Sequence, residues 1–454
     1  MFRFESFPHF GEMGYRPHPA RAAVYTSGMV RAVLICSFVS VLYAQESGEG
    51  SLAQVRAKVA NIVGRLSNYM CTETIERTSY VLRSEPKASC AGLLAVEGHG
   101  QLVSSDRLRL DVGSSKSATL SNEFYSWAGE NHFSDQTIGE IVGNGATSNG
   151  SYTALLSMIF TSDPVKFAYI GEHKEAERSL AEFSYETPLA GSHYTYFRQN
   201  RLRMRTAYEG AFLVDEKTFD LVELTIRTKG LPLESGGCGA DTTVDYQNVP
   251  LNGSILLLPS VVRMTIVNTD GSEDVNQTVF SACREFEGES AVHFGDAALA
   301  PSADQAAREP TELAVRSGLR FEVMLTQDID LSKAAAGDAI RGELASPIHE
   351  GRKLVASTGT PVTMRIVELR RTYGPPSSIS LGLRLENLSV MGSIRTLAAR
   401  AKGVSLRTRP QTLRNLSFRP RRTDDAGPLT LAFPYPKENI LTTNGLKTGW
   451  ITGP

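Results

Sequence analysis

The residues that could do chemistry are thinly spread along this chain. Eight histidines (His9, His18, His99, His132, His173, His193, His293 and His349) stand apart, without H-E-x-x-H or the close pairing a zinc site needs. His173, in Glu172-His-Lys-Glu175, has the richest neighbourhood, and a solvated turn accounts for it. Ser84-Glu-Pro-Lys87 has the S-x-x-K spacing of serine acyltransferases, but S-D-N and a K-T-G in the right context are missing. Its Pro86 also opposes the helix that such chemistry needs. Gly-x-Ser-x-Gly is absent, and Gly143-Asn-Gly145 lacks the third glycine of a nucleotide-binding loop. Acid pairs such as Glu73 with Glu76, or Asp215 with Glu216, fall at strand ends and turns, where carboxylates are solvated. The densest polar stretch is Cys71-Thr-Glu-Thr-Ile-Glu-Arg77. As a strand it puts Cys71, Glu73 and Ile75 on one face, Thr72, Thr74 and Glu76 on the other, and it reads as structural. No catalytic, metal-ligating or cofactor-binding residue is assigned, and the chain reads as a non-enzyme.

The elements that must position these residues are mainly strands. Leu52, Val55, Val59, Ile62, Val63 and Leu66 form one apolar stripe, predicting a helix over Ser51–Tyr69. Strands are predicted over Thr72–Arg83, Gly100–Val112, Phe124–Trp127, Val165–Glu172, Leu180–Thr187 and Ser192–Arg198. A glycine- and asparagine-rich loop spans Gly139–Gly150, and a second helix spans Ser151–Phe160, capped by Ser151. From Gly210 to Glu285 apolar runs alternate with turn residues, and Asp215-Glu-Lys-Thr218 predicts a hairpin between Ala211–Val214 and Leu221–Arg227. Aromatics gather where this sheet should curve. Phe124, Tyr125, Trp127, Phe167, Tyr169, Tyr194 and Tyr196 are the candidates to line an apolar groove; in a closed sheet they are core.

The chain has 454 residues, 41% of them apolar and 21% charged, with a net charge of −2. Wholesale disorder and bulk nucleic-acid binding are excluded. Met29 to Ala44 has a basic start, a short apolar run and a small final residue, predicting a signal peptide over 1–44 cleaved after Ala44. The alternative is an N-terminal membrane anchor. A periplasmic or secreted protein follows, and Cys71, Cys90, Cys238 and Cys283 then read as disulfides. Of three connectivities, Cys71–Cys90 with Cys238–Cys283 is favoured, each stapling neighbouring strands. The carrier-type sheet would occupy 45–288, an Ala/Ser/Asp/Pro linker 289–312, a second β unit 313–403, and a basic, disordered tail 404–454. Arg395 to Arg422 holds eight arginines and one lysine without an acid, either a solvated run or a contact for an anionic surface.

The order helix, strands, helix, then Gly210-x-Phe-x-Val-Asp-x-x-Thr-x-x-Leu-Val-x-Leu, Val244-Asp-Tyr and Leu258-Pro259 resembles the outer-membrane lipoprotein carrier and sorting superfamily. The resemblance covers about residues 50 to 288. It implies an incomplete antiparallel β-barrel with helices in its mouth, and carries no ligand-contacting residue over. Residues 319–403, about 85 residues with Thr358-Gly-Thr-Pro-Val362 between strands, resemble the small β-barrel of conjugation and type IV secretion scaffolds. The long envelope-spanning helix of those scaffolds is missing, which puts their pore function in doubt here. The expected fold class is mainly β with a few helices (α+β), a helix-covered half-barrel plus a small barrel. The expected role is an exported binding or scaffold protein of the cell envelope, with a lipid or lipoprotein and envelope proteins as partners. The alternatives are an interaction module without a small ligand and, behind it, a hydrolase assembled from distant residues.

Overall fold

The computed structural model describes residues 50–63, 69–81, 89–96, 98–116, 121–130, 133–134, 136–142, 146–147, 152–175, 178–198, 202–251, 254–285, 311–404, 417–418 and 428–453. The expected signal peptide, most of the linker and the capping Ser151 lie outside them. Helix α1 (50–63) buries Val55 and Val59, with Leu52, Ile62 and Val63 beside them, as the apolar stripe requires. Tyr69 already opens strand β1 (Tyr69–Val81), because it pairs with Ser114 and Glu285.

A short helix α2 (Cys90–Leu94) follows, capped by Ser89, whose hydroxyl accepts from the Gly92 amide. Then come β2 (Gln101–Lys116), β3 (Ser121–Trp127), α3 (Ile138–Val142) and α4 (Tyr152–Ser157), which runs into a π turn over Met158–Ser162. The expected loop from Gly139 therefore begins as helix. Further strands are β4 (Lys166–Glu175), β5 (Arg178–Thr187), β6 (Thr195–Arg198), β7 (Leu202–Arg205), β8 (Ala207–Asp215), β9 (Leu221–Lys229), β10 (Gly237–Leu251), β11 (Ser254–Asn268) and β12 (Ser272–Glu285). Setting the small β6–β7 hairpin aside, they form one antiparallel ladder ordered β4–β5–β8–β9–β10–β11–β12–β1–β2–β3. The predicted hairpin is β8–β9, its turn tied by Asp215 Oδ1, which accepts from the Lys217 and Thr218 amides at 3.0 Å.

Beyond residue 310 lie β13 (Thr311–Glu312), β14 (Arg320–Leu325), β15 (Ile329–Asp330), β16 (Ala339–Leu344), β17 (Ile348–Glu350), β18 (Lys353–Ala356), β19 (Pro361–Thr372) and β20 (Ser378–Val390). They are followed by β21 (Ser393–Thr396), β22 (Ala399–Val404), β23 (Ser417–Phe418), β24 (Leu429–Pro434), β25 (Ile440–Leu441) and β26 (Lys447–Thr452). The main ladder runs β22–β26–β14–β16–β19–β20, with β21 and β24 both on β20. A separate small barrel was expected. Instead β19 pairs with β2 through Arg370–Asp106, Arg371–Ser105 and Thr372–Ser104, so both regions share one sheet. The disordered tail also gives way, because β24 and β26 supply core residues Leu431, Phe433 and Trp450. Alternating apolar residues at 429, 431 and 433 carried that signal, outweighed in the sequence by the basic run before it.

The disulfides are Cys71–Cys283 and Cys90–Cys238, correcting the expected pairs. Register explains this. Thr72 faces Ser281 beside a bulge, which sets Cys71 against Cys283, with Cα atoms 4.0 Å apart. Cys238 begins β10 while Cys283 ends β12, with β11 between them, so those two cannot meet. Among the described residues no helix is long and apolar enough to cross a membrane.

Candidate functional site: the covered face of the first sheet

Strand alternation decides which side chains point to the face under α1 and α4. On β1 it selects Cys71, Glu73, Ile75 and Arg77, all buried, confirming the predicted facing of the first three. Across β5 and β8 it selects Phe183, Tyr185, Tyr208 and Phe212. Phe160 from the π turn meets Phe212 edge-on at 5.1 Å, and Phe212 stacks on Phe183 at the same separation. Phe167 joins at 6.0 Å from Phe212, and Tyr169 lies 5.4 Å from Phe183. Tyr194 continues the series at 5.5 Å from Tyr208. These rings fill the face, because edge-to-face and offset contacts leave little space between them.

The seven groove candidates do not converge. Phe167, Tyr169 and Tyr194 pack on this aromatic core, while Tyr125 and Trp127 are buried in the core shared with the C-terminal strands. Phe124 lies on the opposite face of β3, largely exposed, 6.2 Å from Phe133. Tyr196 sits half-buried in the β6–β7 hairpin. Sequence reasoning missed Phe160, Phe212 and Tyr208, although Phe212 lies inside the quoted Gly210 pattern.

Polar groups punctuate the covered face. Asp163, its side chain fully buried, accepts from the Tyr208 hydroxyl at 2.9 Å and the His193 amide at 3.1 Å, and contacts His193 Nδ1. This fastens the end of the π turn to the loop before β6. Arg77 forks onto Asp106 at 2.6 and 2.7 Å. Glu73 is 2% exposed and its Oε1 has no hydrogen-bond partner among the described residues. Burial pushes its carboxyl up to about 8, with the nearby Glu123 carboxyl adding to the effect. Glu123 accepts from the Tyr125 hydroxyl at 2.5 Å. Burial lifts it to about 7, against that hydrogen bond, which lowers it. Burial likewise raises the Tyr246 phenol, whose hydroxyl also lacks a partner among the described residues. Among the described residues no three His, Cys, Asp or Glu side chains gather as a metal site.

No protein-family profile matches the chain, and no curated protein matches it. Among solved structures it is similar to a LolA superfamily protein from Nitrosomonas europaea, with 9% identity and a TM-score of 0.25, over 52% of this chain and 94% of that one. An outer membrane lipoprotein-sorting protein domain from Vibrio parahaemolyticus matches at 7% identity and TM-score 0.26, over 53% of this chain and 93% of that one. A DUF1329 family protein from Desulfovibrio piger matches at 9% and 0.26, over 53% and 94%. Nothing about activity passes across likenesses this distant.

Proposed function

We propose that this chain is an exported, non-enzymatic binding protein that takes the acyl chain of a lipid or of a lipid-modified protein against the aromatic covered face. The carrying observation is how lightly α1 is attached over that face. Only Val55 and Val59 of the helix are fully buried, with Leu52, Ile62 and Val63 half-buried beside them, and its polar contacts include Arg56 Nε to the Phe160 carbonyl at 3.2 Å, and Lys58 to Asp220 and the Thr218 carbonyl at 2.5 and 2.6 Å. The two fully buried valines contribute about 3 to 6 kcal/mol and the half-buried side chains add to it, still less than a continuous strand ladder. Lifting α1 uncovers Phe160, Phe167 and Phe212, which an alkyl chain can cover in its place. The signal-like segment and two disulfides support an extracytoplasmic setting. The C-terminal strands then serve as the envelope-facing part of the chain.

The test is uptake of a naturally fluorescent polyene fatty acid by the purified, disulfide-intact protein, with mass spectrometry of its organic extract. Bound lipid or saturable uptake is expected. An extract free of lipid together with no uptake removes this reading. The filled face, with Phe160, Phe183 and Phe212 only 1–2% exposed, favours the alternative of an interaction protein without a small ligand.

A further inference from the structure

The acyl-binding reading leaves the ligand's polar end undefined, and one end of the covered face bears on it. Glu73 on β1 lies between Leu110 and Phe280, and Leu110 in turn faces Trp127. Further toward the same end, Ser114 faces both Tyr69 and Glu123, and Val112 faces Tyr125. Tyr246, 9% exposed, approaches from β10, close enough to Tyr69 for the two phenols to feel one another. Two carboxyls and three phenols from three strands, β1, β3 and β10, thus lie toward one end of the face. Two of their atoms, Glu73 Oε1 and the Tyr246 hydroxyl oxygen, are buried without a hydrogen-bond partner among the described residues. A buried polar atom left unpaired costs about 1 to 3 kcal/mol, so each of the two calls for a partner.

The surroundings select that partner's charge. The cation on the same face of β1, Arg77, spends Nε and Nη2 on Asp106 and keeps a buried Nη1 without a partner among the described residues, but it stands four residues from Glu73 toward the other end of the strand, while beyond Glu123 the near end adds Glu285, which faces Tyr69. An anionic head group would meet acids here, whereas a cation meets carboxylates, with Phe280 opposite Glu73. We infer that Glu73, Glu123 and Tyr246 form the head-group site for an amphiphile bearing a primary ammonium group. This rests on the acyl-binding reading and adds the head to the chain. In the free protein burial keeps the Glu73 carboxyl, raised to about 8, mostly protonated at neutrality, so an entering ammonium displaces its proton to solvent and leaves a buried ion pair. Charge balances: one cation enters and one proton leaves.

The experiment titrates dodecylamine, dodecanol and dodecanoic acid, each below its aggregation threshold, into the full disulfide-bonded protein at pH 7. The expected result is dodecylammonium binding about tenfold or more tighter than dodecanol. Calorimetry in two buffers of different ionisation enthalpy should show about one proton released. Glu73→Gln should erase the ammonium preference and the proton release while dodecanol still binds, and Tyr246→Phe should reduce the preference. Melting of Glu73→Gln at pH 5, where Glu73 is neutral, should match the parent and shows that the variant is folded. Equal affinity for dodecylamine and dodecanol, tighter dodecanoate, or a preference that survives Glu73→Gln overturns the site. Dodecanol binding without ammonium preference leaves the acyl-binding reading standing, whereas binding of none of the three removes both.

Discussion

The covered face of β1–β12 and the core of residues 311–453 bury polar groups in opposite ways. The C-terminal core is aliphatic, built from Leu381, Leu383, Ile340, Val362 and their neighbours, and its junction with the first sheet contains the buried cation Arg365. That cation is fully engaged: Nη2 donates to Glu386 at 3.0 Å, Nε contacts the same carboxylate, and Nη1 donates to the Ala128 and Gly337 carbonyls at 2.7 and 2.5 Å. Gly337 has φ +106 there, and a Cβ on it would stand 2.0 Å from the Arg109 carbonyl, so the backbones touch. The first sheet instead holds Glu73, Arg77 and Tyr246 with atoms left unpartnered among the described residues. A satisfied network fixes architecture, and an unsatisfied one marks where something else is meant to bind or a proton is meant to sit. On the proposed reading, the second region is the scaffold and the first the binding region.

The largest effect that tests this contrast should come from Arg365→Met. It leaves Glu386 with only the half-exposed Arg384 and strands two carbonyls at the junction, and a loss of about 3 to 5 kcal/mol is expected from urea unfolding. A loss below about 1 kcal/mol would mean the junction does not hold the regions together. Phe212→Ala should cost about as much, 3 to 5 kcal/mol, by opening a cavity among the stacked rings. Removing Cys71–Cys283 with paired serines should cost about 2 to 4 kcal/mol, since that bridge spans 212 residues. A drop confined to β1–β12 in hydrogen exchange would sharpen the contrast, and a uniform drop would blunt it.

Next in size is a pH effect with a definite sign. Glu73 and Glu123 have raised values in the fold, so their contribution is fully present below about 4.5 and is lost as pH climbs through about 7 to 8. The parent should therefore melt progressively lower from pH 5 to pH 9, and Glu73→Gln should flatten that decline. An unaltered pH profile in the variant would count against the buried neutral carboxyl. The smallest effect belongs to the surface: Arg227→Ala breaks a 3.1 Å contact to Asp241 between two exposed side chains, and no measurable change in melting is expected.

Much of the first sheet was legible from the sequence because its signals are local. Turn chemistry at Asp215–Thr218 and period-two alternation in Cys71–Arg77 need only near neighbours. The α1 stripe needs no more than the helix itself. Those signals also put Glu73 inward beside Cys71 and Ile75. They could not show that Glu123, fifty residues on and two strands away, shares its end of the face, because that depends on register. Disulfide pairing failed for the same reason: a single bulge at Cys71 and the intervening β11 decide it, and neither is written in spacing. Nor could alternation show that the first sheet's rings would pack shut, or that β19 would seat on the edge of β2 and merge two regions. By itself the sequence determined the strands, which residues alternate and the absence of a catalytic motif. Only the tertiary structure decided which buried polar atoms find partners, because satisfaction is settled by side chains meeting across strands far apart in the chain.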